Sequence, residues 1–369
     1  MTPGSHANRD RGIALLADLT EAHGAPGNEG AVREIFAREL APHGKLGTDR
    51  AGSVLCTRSD AEGLPTVLLA GHMDEVGFMV QNISLEGFVQ FVPLGGWWSH
   101  SVLSQRLRIL TRSGTEVIGV TTSLPPHFLS DAEKDAVVPL ERMFIDVGAT
   151  SREDAAIRLG IRLGDTIVPD SPFTPLTGSD DLFMAKAFDN RAGMALAIHA
   201  TQSLAGRPLP CQLVTAGTVQ EEVGTRGAQT LAALVQPDLA LVLEGPPADD
   251  TPGFNRADSQ GALGGGVQIR VMDPTALMNR SLVELVVGTA EDHSITHQVT
   301  VRRSGGTDAR TFALQGTGVP CVVIGVPARY IHSHNSILHM GDYLAALELL
   351  EALIPKLNAD AVGALSRYL

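Results

Sequence analysis

The chain carries only three cysteines, Cys56, Cys211 and Cys321, and no two lie close together. An odd, widely spaced set supports neither a disulfide framework nor a thiolate metal cage, and Cys211 and Cys321 sit in apolar runs that read as core. Aromatic residues make up 4% of the chain, so packing must rest on Leu, Val, Ile and Ala. Positive charge is scarce: 28 Lys and Arg against 41 Asp and Glu leave a formal charge of −13. That balance argues against a nucleic-acid partner and suits cation binding or solubility. No apolar run reaches bilayer length, and the opening Met1-Thr2-Pro3-Gly4-Ser5-His6 lacks the apolar stretch of a secretory leader. The expectation is a cytoplasmic protein with neither nucleic acid nor membrane as partner.

What the chain does have is alternation. Its 369 residues are enough for one large domain or two. Residues 1–9 read as a frayed tail, and apolar positions at helical spacing predict helices over 12–22 and 31–40. Residues 46–58 and 64–70 read as strands. Between 76 and 170 the texture changes to short strands, at 78–83, 87–92, 105–111, 115–122 and 143–148, separated by Gly, Pro and Ser turns and followed by a short helix over 151–159. Ser113-Gly114 between two of these runs marks a hairpin. Afterwards helices (190–204, 227–235, 281–289, 340–357) alternate with strands (211–219, 237–243, 267–272, 298–302, 321–326). The pattern predicts an α/β domain formed by residues 1–75 and 171–369, with a mixed sheet covered on both faces, interrupted by a β-rich unit at 76–170.

The chemistry collects where the main-sheet strands stop. His72 and Asp74 follow the strand at 64–70, Asp189 precedes the helix at 190, and Glu221 and Glu222 follow the strand at 211–219. Glu244 follows the strand at 237–243, and His332 and His334 come shortly after that at 321–326. In α/β sheets such ends converge on one crevice. Asp189 alone suits a helix cap, and Glu221 with Glu222 suits a solvated helix start; the set as a whole points to metal. Imidazole and carboxylate without thiolate suit Zn²⁺, Co²⁺ or Mn²⁺. The donors exceed what one tetrahedral ion needs, whereas two ions about 3.5–4 Å apart, sharing one carboxylate, would use them all. His332 and His334 compete for one position. His72 and Asp74, two apart on an extended segment, predict a carboxylate that orients the imidazole. One of the adjacent acids at 221 and 222 can bind metal while the other takes a proton.

Four segments occur in a telling order: His72-Met73-Asp74-Glu75-Val76-Gly77, Ala187-Phe188-Asp189-Asn190-Arg191, Val219-Gln220-Glu221-Glu222-Val223-Gly224 and Arg329-Tyr330-Ile331-His332-Ser333. With Gly24–Glu29 and Gly305–Ala309, they make the chain resemble the glutamyl and tetrahedral (TET) aminopeptidases, a family of dinuclear metallopeptidases, from near residue 12 to the C-terminus. The resemblance implies a three-layer metallopeptidase domain with an inserted barrel-like dimerisation domain. It implies two divalent ions per subunit, Zn²⁺ foremost, one held by His72, Asp189 and Glu244 and the other by Asp189, Glu222 and His332. It makes Glu221 the general base and Asp74 its catalytic companion, peptides the substrates, and a dimer-built tetrahedral dodecamer the assembly. Two positions depart from the family: Glu244 stands where Asp is usual, and Asn190 where a second acid is common. The peptide between Asp189 and Asn190 is expected to be cis. A deacylase or other amidohydrolase on the same centre is the alternative enzyme, and a metal-binding assembly protein without catalysis the alternative of another class.

Overall fold

The computed structural model describes residues 3–58 and 63–369. Its frame is a nine-stranded sheet. From one edge the strands are Lys45–Thr48, Val54–Thr57, Gln212–Thr218, Thr66–His72, Leu239–Glu244, Cys321–Gly325, Val267–Asp273 and Ala276–Leu277, with His297–Val301 beside Val267–Asp273 off that path. The four in the middle, from Gln212–Thr218 to Cys321–Gly325, are parallel. Antiparallel neighbours flank them on both sides, so the sheet is mixed.

Leu239–Glu244 and Cys321–Gly325 are buried at every position, and a strand buried on both sides needs cover on both. Helix Phe188–Ser203 lies across Thr66–His72 and Leu239–Glu244, with Pro3–Glu21 and Met340–Leu353 packed on it. Its run from Asn190 to Thr201 is wholly buried, as a helix sandwiched between a sheet and further helices requires. Helices Arg226–Val235 and Ala309–Phe312 form a second group, on Gln212–Thr218 and Cys321–Gly325 respectively. The parallel register sets His72 opposite Thr218 and Glu244 opposite Gly325, so the strand ends share one edge.

Between Gly77 and Pro169 the chain forms a closed six-stranded antiparallel barrel, in the order Gly77–Ile83, Val89–Leu94, Phe144–Asp146, Glu116–Thr122, Arg106–Leu110 and Thr166–Pro169. Exposed and buried positions alternate along Glu116–Thr122, the period of a half-buried strand. The barrel has its own core, with Phe78, Phe91, Leu107, Ile109 and Ile145 among its members. The hairpin at Ser113-Gly114 forms, with Gly114 at φ +82°.

Several expectations are corrected. Residues 3–9 are no frayed tail but the first turns of helix Pro3–Glu21. Long-range pairs that spacing does not reveal hold them, Arg9 to Asp181 at 3.3 Å among these. The run 46–58 is two antiparallel strands, turned by Asp49, whose Oδ1 accepts the amides of Ala51, Gly52 and Ser53. The helix at 151–159 contains a π-helical turn, Asp154–Arg158. A small second sheet of Thr174–Pro175, Leu182–Ala185, Ser336–His339 and Ala328–Arg329 went unpredicted because its strands are too short to show a period. Among the described residues no helix is long and apolar enough to cross a membrane.

Candidate metal centre

The sheet delivers its side chains to one cleft. His72 and Glu244 are the last residues of their strands. Glu221 and Glu222 follow Gln220, a left-handed residue at φ +55° that turns the chain beyond Gln212–Thr218. Asp189 enters at the start of Phe188–Ser203, where it and Asn190 depart from helical geometry and the peptide between them is cis. His332 comes from the loop beyond Cys321–Gly325, also at φ +55°.

His72 Nε2 stands 3.1 Å from Asp189 Oδ1, 3.8 Å from Glu244 Oε2 and 3.9 Å from Glu221 Oε2. His332 Nε2 stands 3.3 Å from Asp189 Oδ2 and 3.4 Å from Glu222 Oε1. Two triads result, His72–Asp189–Glu244 and Asp189–Glu222–His332, each with one donor atom per residue and all three atoms within 4.8 Å of one another. Asp189 belongs to both; Glu221 belongs to neither. The two competing histidines are resolved: His334 is buried against Trp97, ring centroids 5.5 Å apart, with both nitrogens unpartnered.

Asp74 departs from its expected role. His72 Nδ1 meets the Asp74 backbone carbonyl at 3.0 Å, while the nearest carboxylate oxygen is 3.6 Å away. The carboxylate instead accepts two amides, Glu221 N on Oδ1 and Glu222 N on Oδ2, each at 3.0 Å. Successive amides in a left-handed turn make such a pocket for a negative oxygen. Beside it Glu75, fully buried, accepts Lys186 at 2.5 Å and Arg191 at 3.0 Å. These pairs fasten the His72 strand end to the segment that carries Asp189.

Burial pushes Glu221 well above the usual carboxylate range and raises Glu222 and Glu244 each to about 8. Burial opposes the charged imidazoles, but the hydrogen bond to Asp189 and the surrounding carboxylates together outweigh it and raise both, His332 to about 9. Glu222 Oε1 is buried with no hydrogen-bond partner. Ionising so many acids in one desolvated cleft requires positive charge close by. Divalent cations fit this donor set, which is oxygen and imidazole throughout.

The cleft has a volume of about 500 Å³, and its walls include residues the sequence reading assigned no role. Arg270 is buried in strand Val267–Asp273; one nitrogen donates to Asp273 at 3.1 Å and Nε has no partner. Arg310 and the Gly305-Gly306-Thr307 stretch line the same cleft. Behind it Asp308 is buried, accepts Thr218 Oγ1 at 2.5 Å, and is raised by burial to about 6. The Gly-Gly-Thr-Asp segment was the available signal for Asp308; Arg270 left none, because in Val267-Gln268-Ile269-Arg270 it looks like an ordinary polar position of an alternating strand.

Comparisons with known proteins fit this geometry. The chain is 37% identical to a glutamyl aminopeptidase of Lactococcus lactis over 95% of its own length and 98% of that protein. A solved TET aminopeptidase from the marine sediment archaeon Thaumarchaeota archaeon SCGC AB-539-E09 superposes with a TM-score of 0.93 at 39% identity, over 97% of this chain and 100% of that one. The TET1 peptidase of Pyrococcus horikoshii, which can assemble into a tetrahedron or a large octahedral shell, superposes at 0.83 with 30% identity, over 94% and 100%. The sequence profile of the M42 glutamyl aminopeptidases matches residues 52–349. The chain belongs to that family, and it is an aminopeptidase.

Proposed function

We propose that this aminopeptidase works with two divalent cations, Zn²⁺ foremost and Co²⁺ or Mn²⁺ as alternatives, and releases N-terminal residues from peptides in the cytoplasm. One observation carries the reading: the two oxygens of Asp189 face different histidines, at 3.1 Å and 3.3 Å, so a single carboxylate serves both triads. Cations held by these residues would supply positive charge that lowers the pKa of a water and offsets charge on a carbonyl oxygen.

The protein's own side chains do the rest. His72, Asp189 and Glu244 form one ligand set, and Asp189, Glu222 and His332 the other. Glu221 lies in the same cleft, outside both sets. Desolvation raises its affinity for a proton, which suits a general base that accepts a proton from the attacking water and delivers it to the leaving amine. Asp74 holds the amides of Glu221 and Glu222 and thereby aims both side chains.

Arg270 and Arg310 give the cleft a positive wall that favours an acidic first residue, in keeping with the substrate named for the Lactococcus relative. The barrel, proposed as the dimerisation unit within 76–170, exposes Leu124, Phe128 and Val137. Those side chains suit a contact between copies, on the way to a tetrahedral dodecamer, as the Pyrococcus relative can assemble into a tetrahedron. Glu221→Gln tests the mechanism. Bound metal and fold stay as in the parent, while peptide release falls by roughly 10²–10⁴-fold; turnover near the parent's rejects Glu221 as the base.

A further inference from the structure

The two ligand histidines are held by different parts of the molecule. Asp74 anchors His72, two residues along the same segment. His332 Nδ1 instead meets the carbonyl oxygen of Gly96 at 2.9 Å, 236 residues away in the chain. Gly96 belongs to the turn that leaves barrel strand Val89–Leu94, so the barrel reaches over the edge of the α/β domain and touches the site.

The neighbouring residue, Gly95, stands close to a further ligand of the same triad, Glu222. Gly95 has φ +88°, and a Cβ there would stand 2.7 Å from Val76 Cγ1 and 3.2 Å from Glu222 Oε2. Glycine is required on both counts, backbone conformation and space. The turn is pinned in place: Trp97 Nε1 donates to the Gly77 carbonyl at 3.0 Å, and its ring stacks on Phe78 with centroids 4.6 Å apart. The same ring also rests against His334, two residues from His332. A ligand imidazole that gives its second N–H to a fixed carbonyl is locked in tautomer and orientation. We propose that the Gly95–Gly96 turn positions Glu222 and His332, so that the inserted barrel helps to hold the second of the two cations. The inference rests on the two-cation reading above.

Zinc binding to the full-length chain tests it. The protein is stripped with a chelator and titrated with Zn²⁺ by calorimetry, and metal content after dialysis is read by mass spectrometry. The variants are Gly95→Ala, which forces the turn away from Glu222, and Trp97→Phe, which keeps a ring but removes the donor to Gly77. The parent takes up two ions. Each variant keeps one at unchanged affinity and binds the other roughly 10–100-fold more weakly. His332→Ala loses the same ion, and adding Trp97→Phe to it costs nothing further. Should Gly95→Ala fail to fold, Trp97→Phe decides. Two ions bound as tightly in the variants as in the parent, or both weakened alike, overturn the positioning role and leave the two-cation reading standing. A parent that binds fewer than two ions overturns that reading itself, and this inference with it.

Discussion

Asp74 offers His72 its backbone carbonyl, at 3.0 Å, and keeps its carboxylate for the amides of Glu221 and Glu222. One residue thus orients an imidazole at the end of one strand and shapes the turn after the neighbouring strand. The division of labour separates two effects that a single substitution would otherwise confuse.

Asp74→Asn preserves the main-chain carbonyl but puts an N–H₂ group where one of the two amides needs an acceptor. A hydrogen bond to a charged group contributes about 1.5–3 kcal/mol, so kcat/KM should fall roughly 10–100-fold. The ion held by His72, Asp189 and Glu244, read by zinc titration, should bind as tightly as in the parent. Loss of that ion would show that the carboxylate, not the carbonyl, governs His72, whereas weakening of the ion beside Glu222 alone agrees with the amide role.

The positive wall of the cleft predicts selectivity. Arg310 is exposed and lines the cleft, so Arg310→Ala leaves the fold alone. Release of glutamate from an aminoacyl substrate should fall relative to release of leucine by roughly 1.5- to 5-fold, the scale of one exposed charge. An unchanged ratio of the two kcat/KM values would place the selectivity elsewhere.

Two buried histidines that line no part of the cleft set an acid limit on stability. His23 is buried, its Nε2 bonded to Thr166 at 2.8 Å, and burial first, then Lys186, Arg108 and Arg191, lower it to about 3. His199 is buried beside Tyr343, and burial, with a smaller push from Arg11, lowers it to about 4. Both folded values lie below the ordinary 6.5, so the unfolded chain binds the extra protons first. Their contribution is complete above pH 6.5 and is lost as pH falls toward 4, at up to about 1.4 kcal/mol per pH unit for each histidine. Urea unfolding of His23→Gln plus His199→Gln should therefore show a shallower dependence than the parent across that window. Parallel curves would disprove the assignment.

Much of the site could be read before any coordinates, for a physical reason. Parallel strands end on one edge, so polar residues that close apolar runs, such as His72 and Glu244, are brought together by the architecture itself. Spacing alone did not separate His332 from His334, because both lie in one loop; the resemblance named His332, and the burial of His334 against Trp97 agrees with it. The Gly96 carbonyl was invisible in principle, since a backbone acceptor carries no residue identity. Asp74 misled because spacing reports which way a side chain leans, not which of its oxygens another group will find. The opening turns of the first helix and the small second sheet were obscured by the same limitation: the contacts that stabilise them are long-range.

The sheet order sets a timetable for synthesis. Strand Thr66–His72 lies between Gln212–Thr218 and Leu239–Glu244, both of which leave the ribosome well over a hundred residues later. At about 5–20 residues per second that is a wait on the order of ten seconds. All six barrel strands, by contrast, fall within Gly77–Pro169 and need no partner from elsewhere. The barrel therefore matures first, while the strand that carries His72 remains unpaired beside it. A nascent chain halted near residue 210 should already show a protease-resistant fragment of barrel size; digestion throughout would refute this order.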